Sequence, residues 1–160
     1  MTTAFPSSTG VYLDANFLVA YLISSHADAK KAQKLFTRLV ISGNTLVFSA
    51  LTVDETMLAI KRTLSSQEKS DNLKKGKNCK DYIDDIRNVI KIITNDSNFH
   101  ITQFRIPADG CNQAVENIDK YIMQPRDAFH LSYMQDQGIK YIASNDKKFN
   151  HVRKIIRLRF

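Results

Sequence analysis

The residues Val11-Tyr12-Leu13 form a short apolar run that stops on Asp14, passes through Ala15 and Asn16, and resumes from Phe17 with helix-like spacing. Runs of this kind, about four to eight residues long and ended by a polar stop, suit a strand buried on both faces of a parallel sheet. In open α/β sheets ligands bind beyond the carboxyl ends of such strands, so Asp14 is a candidate functional carboxylate facing a crevice. The plainer reading makes it only the cap of the helix that follows.

The chain repeats this unit. Residues 1–10, with Pro6, Ser7, Ser8 and Gly10, read as a loose lead-in to a strand at 11–14. A short helix is expected at 16–23. Ala32, Leu35, Phe36, Leu39 and Val40 then mark an amphipathic helix from Ala29, stopped near Gly43. The second strand covers 45–48. Residues 49–54 lead into a helix with Met57, Leu58, Ile60 and Leu64 on its apolar side. From 65 to 78 the composition turns polar, with Lys69, Lys74, Lys75 and Lys77 followed by Lys80. This segment reads as a solvated connection or the polar face of a helical pair, a basic arm over the crevice being the functional alternative. Helical spacing returns at 80–94, a third strand is expected at 99–102, a helix at 107–123, and another opened by Pro125 and Arg126. The fourth strand covers 139–143 and is followed directly by Ser144-Asn145-Asp146. The tail at 155–160 reads as an edge strand with basic positions. Strands alternating with helices imply crossovers, a parallel sheet and helices on both faces.

At 160 residues one domain spanning 1–160 is expected, and the 43% hydrophobic content is enough for a core. No apolar run approaches the roughly 20 residues of a membrane span. The first ten residues lack the charged start and apolar middle of a signal peptide, so a cytoplasmic protein is expected. Cys79 and Cys111 form no Cys-x-x-Cys pair, which argues against a zinc site or disulfide framework. The net charge of +7 suggests a nucleic-acid partner.

Four acids occupy comparable places in this layout. Asp14 and Asp146 follow strand ends, while Glu55 and Asp127 lie in the opening turns of helices. Strand C-termini and the N-termini of the helices after them share one sheet edge, so the four carboxylates can converge. Clustered carboxylates repel unless a cation neutralises them. Mg²⁺ or Mn²⁺ suits an all-oxygen donor set, and such ions activate water and stabilise the leaving oxygen in phosphodiester cleavage. Each acid has a plainer reading. Thr52-x-x-Glu55 is a capping box, Asp127 follows Pro125 where the helix dipole favours an acid, and Asp146 can simply start a turn.

Leu13-Asp14-Ala15-Asn16, Ser49-x-x-Thr52-x-x-Glu55, Asp127-Ala128-x-His130-Leu131 and Ile142-Ala143-Ser144-Asn145-Asp146-Lys147-Lys148-Phe149, in that order, resemble the PIN-domain ribonucleases, and among them the VapC-type toxins of type II toxin–antitoxin pairs. The resemblance covers about 11–64 and 100–150; residues 65–98 carry no motif. It implies a three-layer α/β/α sandwich around a mostly parallel sheet of four to five strands. It also implies a Mg²⁺- or Mn²⁺-dependent endoribonuclease using one or two ions. Asp14, Glu55, Asp127 and Asp146 match the family's acidic, metal-holding positions. Asn16 matches the polar residue that supports the first acid, and Ser144 a hydroxyl position in the pocket. Ser132 departs from the small apolar residue usual there. Asp54 beside Glu55 leaves open which acid faces the metal, helix phase favouring Glu55. A small antitoxin protein that covers the crevice follows from the resemblance alone.

Lys61, Arg62, Arg126, Lys147 and Lys148 flank the acids and are candidate RNA contacts. His130, three residues after Asp127, reads as a packing or hydrogen-bonding residue before a base. The apolar surplus at Phe17, Val19, Tyr21 and Leu22 suggests a homodimer interface. Two other readings stand. A non-catalytic RNA-binding module would keep the fold, but the four acids speak against it. A haloacid-dehalogenase-like phosphohydrolase would need a second acid two residues after Asp14, where Asn16 stands.

Overall fold

The computed structural model describes residues 5–70 and 78–160; Lys74, Lys75 and Lys77 of the expected basic segment lie outside the described residues. Among the described residues five strands form one sheet: β1 (Gly10–Leu13), β2 (Thr45–Ser49), β3 (Phe99–Thr102), β4 (Tyr141–Ala143) and β5 (Ile156–Leu158). Their order is β3-β2-β1-β4-β5, and every pairing is parallel. The helices are α1 (Ala15–Leu22), α2 (Ala29–Ile41), α3 (Ala50–Ser70), α4 (Ile83–Asn95), α5 (Pro107–Tyr121) and α6 (Pro125–Asp136). This is the three-layer α/β arrangement that the alternating pattern implies.

The central position of β1 explains its composition. Val11, Tyr12 and Leu13 are fully buried, and because side chains alternate along a strand they serve two cores. Val11 and Leu13 join Leu46 and Phe48 of β2, and Phe17, Leu18, Leu35 and Leu39 of α1 and α2. Tyr12 joins Ile142 of β4 with Ala114 of α5 and Leu131 and Met134 of α6. Each fully buried side chain of this size contributes about 1.5–3 kcal/mol relative to exposure. Ile60 of α3 and Ile86 and Val89 of α4 form a third cluster, which ties α3 to α4.

Several boundaries differ from expectation, each for a visible reason. Asp14 lies just past β1 rather than in it. α3 starts at Ala50, so residues 49–54 are mostly helix, not a lead-in. The Thr52 amide donates to Ser49 Oγ at 3.3 Å and the Ser49 amide to Thr52 Oγ1 at 3.4 Å, a reciprocal cap of the capping-box kind. α3 also continues to Ser70 through a stretch expected as a connection. The Tyr82 hydroxyl there donates to Glu68 Oε2 at 2.6 Å, and Gln67 Nε2 donates to Ser25 Oγ at 2.6 Å. Ile139 does not yet belong to β4, because its amide is still bound to Met134 O at 2.8 Å. The expected lead-in is anchored from Phe5 onward: Asn44 Nδ2 donates to Pro6 O at 3.0 Å, and the Arg38 guanidinium lies 3.7 Å from the Phe5 ring centroid.

Candidate active site

The strand order changes winding direction between β1 and β4, and parallel α/β sheets open a crevice beyond the strand ends at such a point. Asp14 is the first residue past β1 and Ser144 the first past β4. Ser144 Oγ donates to Asp14 Oδ2 at 2.5 Å, and Asn16 Nδ2 donates to the same oxygen at 2.5 Å. Asn16 also donates to Ser144 Oγ at 3.1 Å and accepts from the Asn145 amide at 3.2 Å. Asp14 occupies the cap position of α1 without a side-chain capping hydrogen bond, so the capping reading does not describe it. Burial pushes its carboxyl above the usual range and nearby Glu55 adds to the rise, while His130 and the Ser144 hydrogen bond offset part of it.

Glu55 comes from α3. Because Thr52 is paired with Ser49, Glu55 is free of the capping role, and its Oε2 meets His130 Nε2 at 2.7 Å. The neighbouring Asp54 points outward, its side chain 55% exposed against 17% for Glu55. Behind His130 lies a buried polar chain. Its Nδ1 is 2.9 Å from the Tyr12 hydroxyl, which in turn lies 2.7 Å from Ser49 Oγ and 3.1 Å from Thr52 Oγ1. A carboxylate only accepts, so in the neutral ring Nε2 carries the proton and Nδ1 accepts from Tyr12. Burial raises the Tyr12 pKa far above the ordinary tyrosine value, which keeps its hydroxyl proton in place for that bond. One donor atom each of Asp14, Glu55 and His130 lie within 4.8 Å of one another, a spacing that could hold a metal ion.

The other two acids form a second pair. Asp127, in the first turn of α6, lies 2.9 Å from Lys148 Nζ, and Asp146 lies 3.7 Å from the same ammonium. Lys148 is accordingly held above its ordinary pKa, chiefly by the Asp127 hydrogen bond. Asp146 also does what its turn reading required: its side chain accepts from the Lys148 amide at 2.9 Å and caps the 3-10 turn Lys147–His151. The four acids thus fall into two pairs, one built round His130 and the other round Lys148.

Among the candidate cations, Arg126 reaches Glu55 Oε1 at 3.7 Å and Lys148 bridges the second pair. Lys147 is exposed beside Asp146. Lys61 and Arg62 are carried about 9–10 Å down α3 from Glu55, and Arg62 lines a separate cleft with His26 and Gln67. Tyr12 is the contributor that sequence reasoning missed. It read as one more apolar strand residue; its signal was a hydroxyl in an otherwise aliphatic run, matched by Ser49 and Thr52 three apart at a helix start. The hydrogen-bonding reading of His130 describes what the ring does.

This layered fold with its acids at the switch-point crevice is that of a family. The PIN domain family model matches residues 11–155, and the chain belongs to the PIN domain family. In structure it is similar to the VapC20 toxin of Mycobacterium tuberculosis, described as cleaving the sarcin-ricin loop, at 18% identity and TM-score 0.66 over 94% of this chain and 99% of that one. It is similar also to VapBC2 from Rickettsia felis, solved on a promoter DNA fragment, at 13% identity and TM-score 0.60 over 94% and 98%. A third likeness is to FitAcB from Neisseria gonorrhoeae, at 16% identity and TM-score 0.57 over 92% and 96%. At such identities the likeness is one of fold. No curated protein sequence matches the chain significantly. Among the described residues no helix is long and apolar enough to cross a membrane.

Proposed function

We propose that this protein is a divalent-metal-dependent endoribonuclease, the toxin of a toxin–antitoxin pair. The coarse part of the reading, a nuclease, follows from membership of the PIN domain family. The finer part is carried by one observation: a buried carboxylate, Asp14, held by Asn16 and Ser144 beside a second carboxylate, Glu55, at the switch-point crevice.

The donor set fits a hard cation. Asp14 and Glu55 offer carboxylate oxygens in a site where their mutual repulsion and burial disfavour two charges. Asp14, Glu55, Asp127 and Asp146 are the residues that would hold Mg²⁺ or Mn²⁺, one or two ions. The ion would supply charge stabilisation and water activation for phosphodiester cleavage. The protein's own residues do the rest. Asn16 and Ser144 orient Asp14, and His130, backed by Tyr12, orients Glu55. Lys148 pairs with Asp127 and Asp146 and exchanges them for substrate phosphate, with Arg126 and Lys147 on the same rim. Lys61 and Arg62 serve RNA further along α3.

Likeness to a toxin–antitoxin complex from Klebsiella pneumoniae, at 19% identity and TM-score 0.54 over 91% of this chain and 95% of that one, supports a small antitoxin protein as partner, and a cytoplasmic setting belongs to the same reading. A homodimer belongs to this reading, though the α1 surplus that suggested it goes largely into the core: Phe17 and Val19 are buried, and Tyr21 and Leu22 are half-buried against that core. The phosphohydrolase alternative loses further ground, since Asn16 is engaged by Asp14 and Ser144.

Asp14→Asn tests the proposal. The near-isosteric change should keep the fold, abolish RNA cleavage, and remove most of the stability that Mn²⁺ adds to the wild type, about 2.7 kcal/mol at one hundred times the dissociation constant, read as a shift in melting temperature. Wild-type cleavage by the variant would reject Asp14 as a metal-holding residue. A wild type that binds RNA but never turns it over in Mn²⁺ would leave the non-catalytic binding module.

A further inference from the structure

We propose that the cleft between the end of α5 and the 3-10 turn after β4 is a nucleobase subsite that takes one unpaired base of the RNA; this rests on the ribonuclease reading. The cleft encloses about 220 Å³, with Tyr121 and Ile122 on the α5 side and Lys147 and His151 on the other. Asp146 and Lys148 also line it, so it opens directly beside the second acid pair. Its volume lies below the roughly 300 Å³ at which pockets for drug-sized molecules begin, the scale of a single heterocycle.

Its charge favours RNA. Asp146 and Lys148 are paired with each other and with Asp127, whereas Lys147 and His151 make no ion pair among the described residues. Lys120 adds a further cation, its Nζ 5.2 Å from the Tyr121 ring centroid. Lys148 offsets one of its two carboxylates, and Lys147 and Lys120 outnumber the one that is left, so the formal charge of these groups is positive. Single-stranded RNA is recognised by stacking splayed bases on aromatic rings while cations hold the backbone, and Tyr121 and His151 offer such rings.

The backbone provides an independent pointer. Ile122 caps α5 in the left-handed conformation, φ 54° and ψ 47°. Glycine normally takes this place, and a β-branched residue is strained there. Packing does not compensate, because Ile122 is 93% exposed. The chain thus holds a branched apolar side chain in solvent, in a conformation it disfavours, at the lip of a cationic cleft beside the acids. Strain of this sort gathers at binding sites. A base laid against Ile122 and Tyr121 would bury what the free protein leaves exposed.

The test uses the full chain in chelator, where RNA is bound but not cut, and compares wild type with Ile122→Gly and, as a second variant, His151→Ala. Each is titrated with a labelled single-stranded RNA and with copies carrying one abasic residue at successive positions. Ile122→Gly should melt at or above the wild-type temperature yet bind the intact RNA roughly tenfold or more weakly. One abasic position should weaken the wild type and leave Ile122→Gly unaffected. RNA affinity that neither variant changes, or abasic losses that are the same at every position, would overturn the subsite while leaving the ribonuclease reading intact. Loss of affinity for a protein inhibitor with RNA affinity preserved would also overturn it. A wild type that neither binds nor cleaves RNA would reject both readings together.

Discussion

His130 meets Glu55 with one ring nitrogen while Tyr12 holds the other. The two amide side chains separate this positioning role from packing. In His130→Gln the amide nitrogen reaches the place of Nε2 and keeps a donor for Glu55. In His130→Asn it stops at the place of Nδ1 and loses that donor. Partners of metal-holding residues typically contribute 10–100-fold in affinity or activity, so calorimetry with Mn²⁺ alone should find His130→Asn weakened on about that scale and His130→Gln much less. Equal losses in both would make His130 a packing residue. Asp14 gives a pH signature. Its folded pKa is raised, so its contribution to stability is fully present below the unfolded value of about 3.9 and is lost as pH rises through the folded value. In chelator the wild type should therefore lose stability relative to Asp14→Asn as pH climbs from about 4 toward neutrality. A stability difference that does not change with pH would contradict the buried, charge-crowded site.

α5 and α6 pack tightly enough that one hydrogen atom in α5 matters. A Cβ at Gly110 would overlap the Phe104 ring, which is stacked on Tyr133 with centroids 3.9 Å apart and flanked by Phe129 at 6.4 Å. Glycine to alanine in a helix ordinarily gains about 1 kcal/mol, whereas overpacking costs about 1–3 kcal/mol. With the ring held on two sides the cost wins, and Gly110→Ala should melt a few degrees lower than wild type. A higher melting temperature would mean that Phe104 swings away freely. The same helix pair carries Asn117, whose Nδ2 donates to Ser132 Oγ at 2.9 Å. Ser132, the position where the family resemblance led one to expect a small apolar side chain, is thus satisfied by a partner on the neighbouring helix.

Across the whole molecule, a net charge of +7 coexists with an acidic crevice, and the two act at different ranges. The carboxylates act at contact distance, while the cations around them draw a polyanion from further out. Each phosphate neutralised should add about 0.7 to the negative slope of log affinity against log salt on single-stranded RNA. If Arg126, Lys147 and Lys148 each meet one phosphate, that gives a slope of about −2. Affinity that stays flat between low and moderate salt would remove these side chains from the interface.

The layout of the fold was legible because it is local. Val11-Tyr12-Leu13 is long enough for a buried strand and ends on a polar residue, and Ala32, Leu35 and Leu39 recur at the spacing of one helix face. These patterns carry strand, helix and alternation within ten or so residues, and the alternation implies the parallel sheet. They also put Asp14 and Ser144 at strand ends. Which groups then meet was decided by tertiary structure. Glu55 and His130 lie 75 positions apart and meet where α3 packs against α6, while Asn16 and Ser144 lie 128 apart and meet because β4 pairs with β1. Local pattern was ambiguous at Thr52-x-x-Glu55, which is equally a capping box; the start of α3 at Ala50 gave that role to Ser49 and Thr52 and released Glu55. Lys148 between Asp127 and Asp146, the proton chain from Tyr12, and the left-handed Ile122 had no local signature. Side-chain periodicity reports whether a residue is buried, but its partner depends on strand order and helix phase, which are set by the packing of the whole chain.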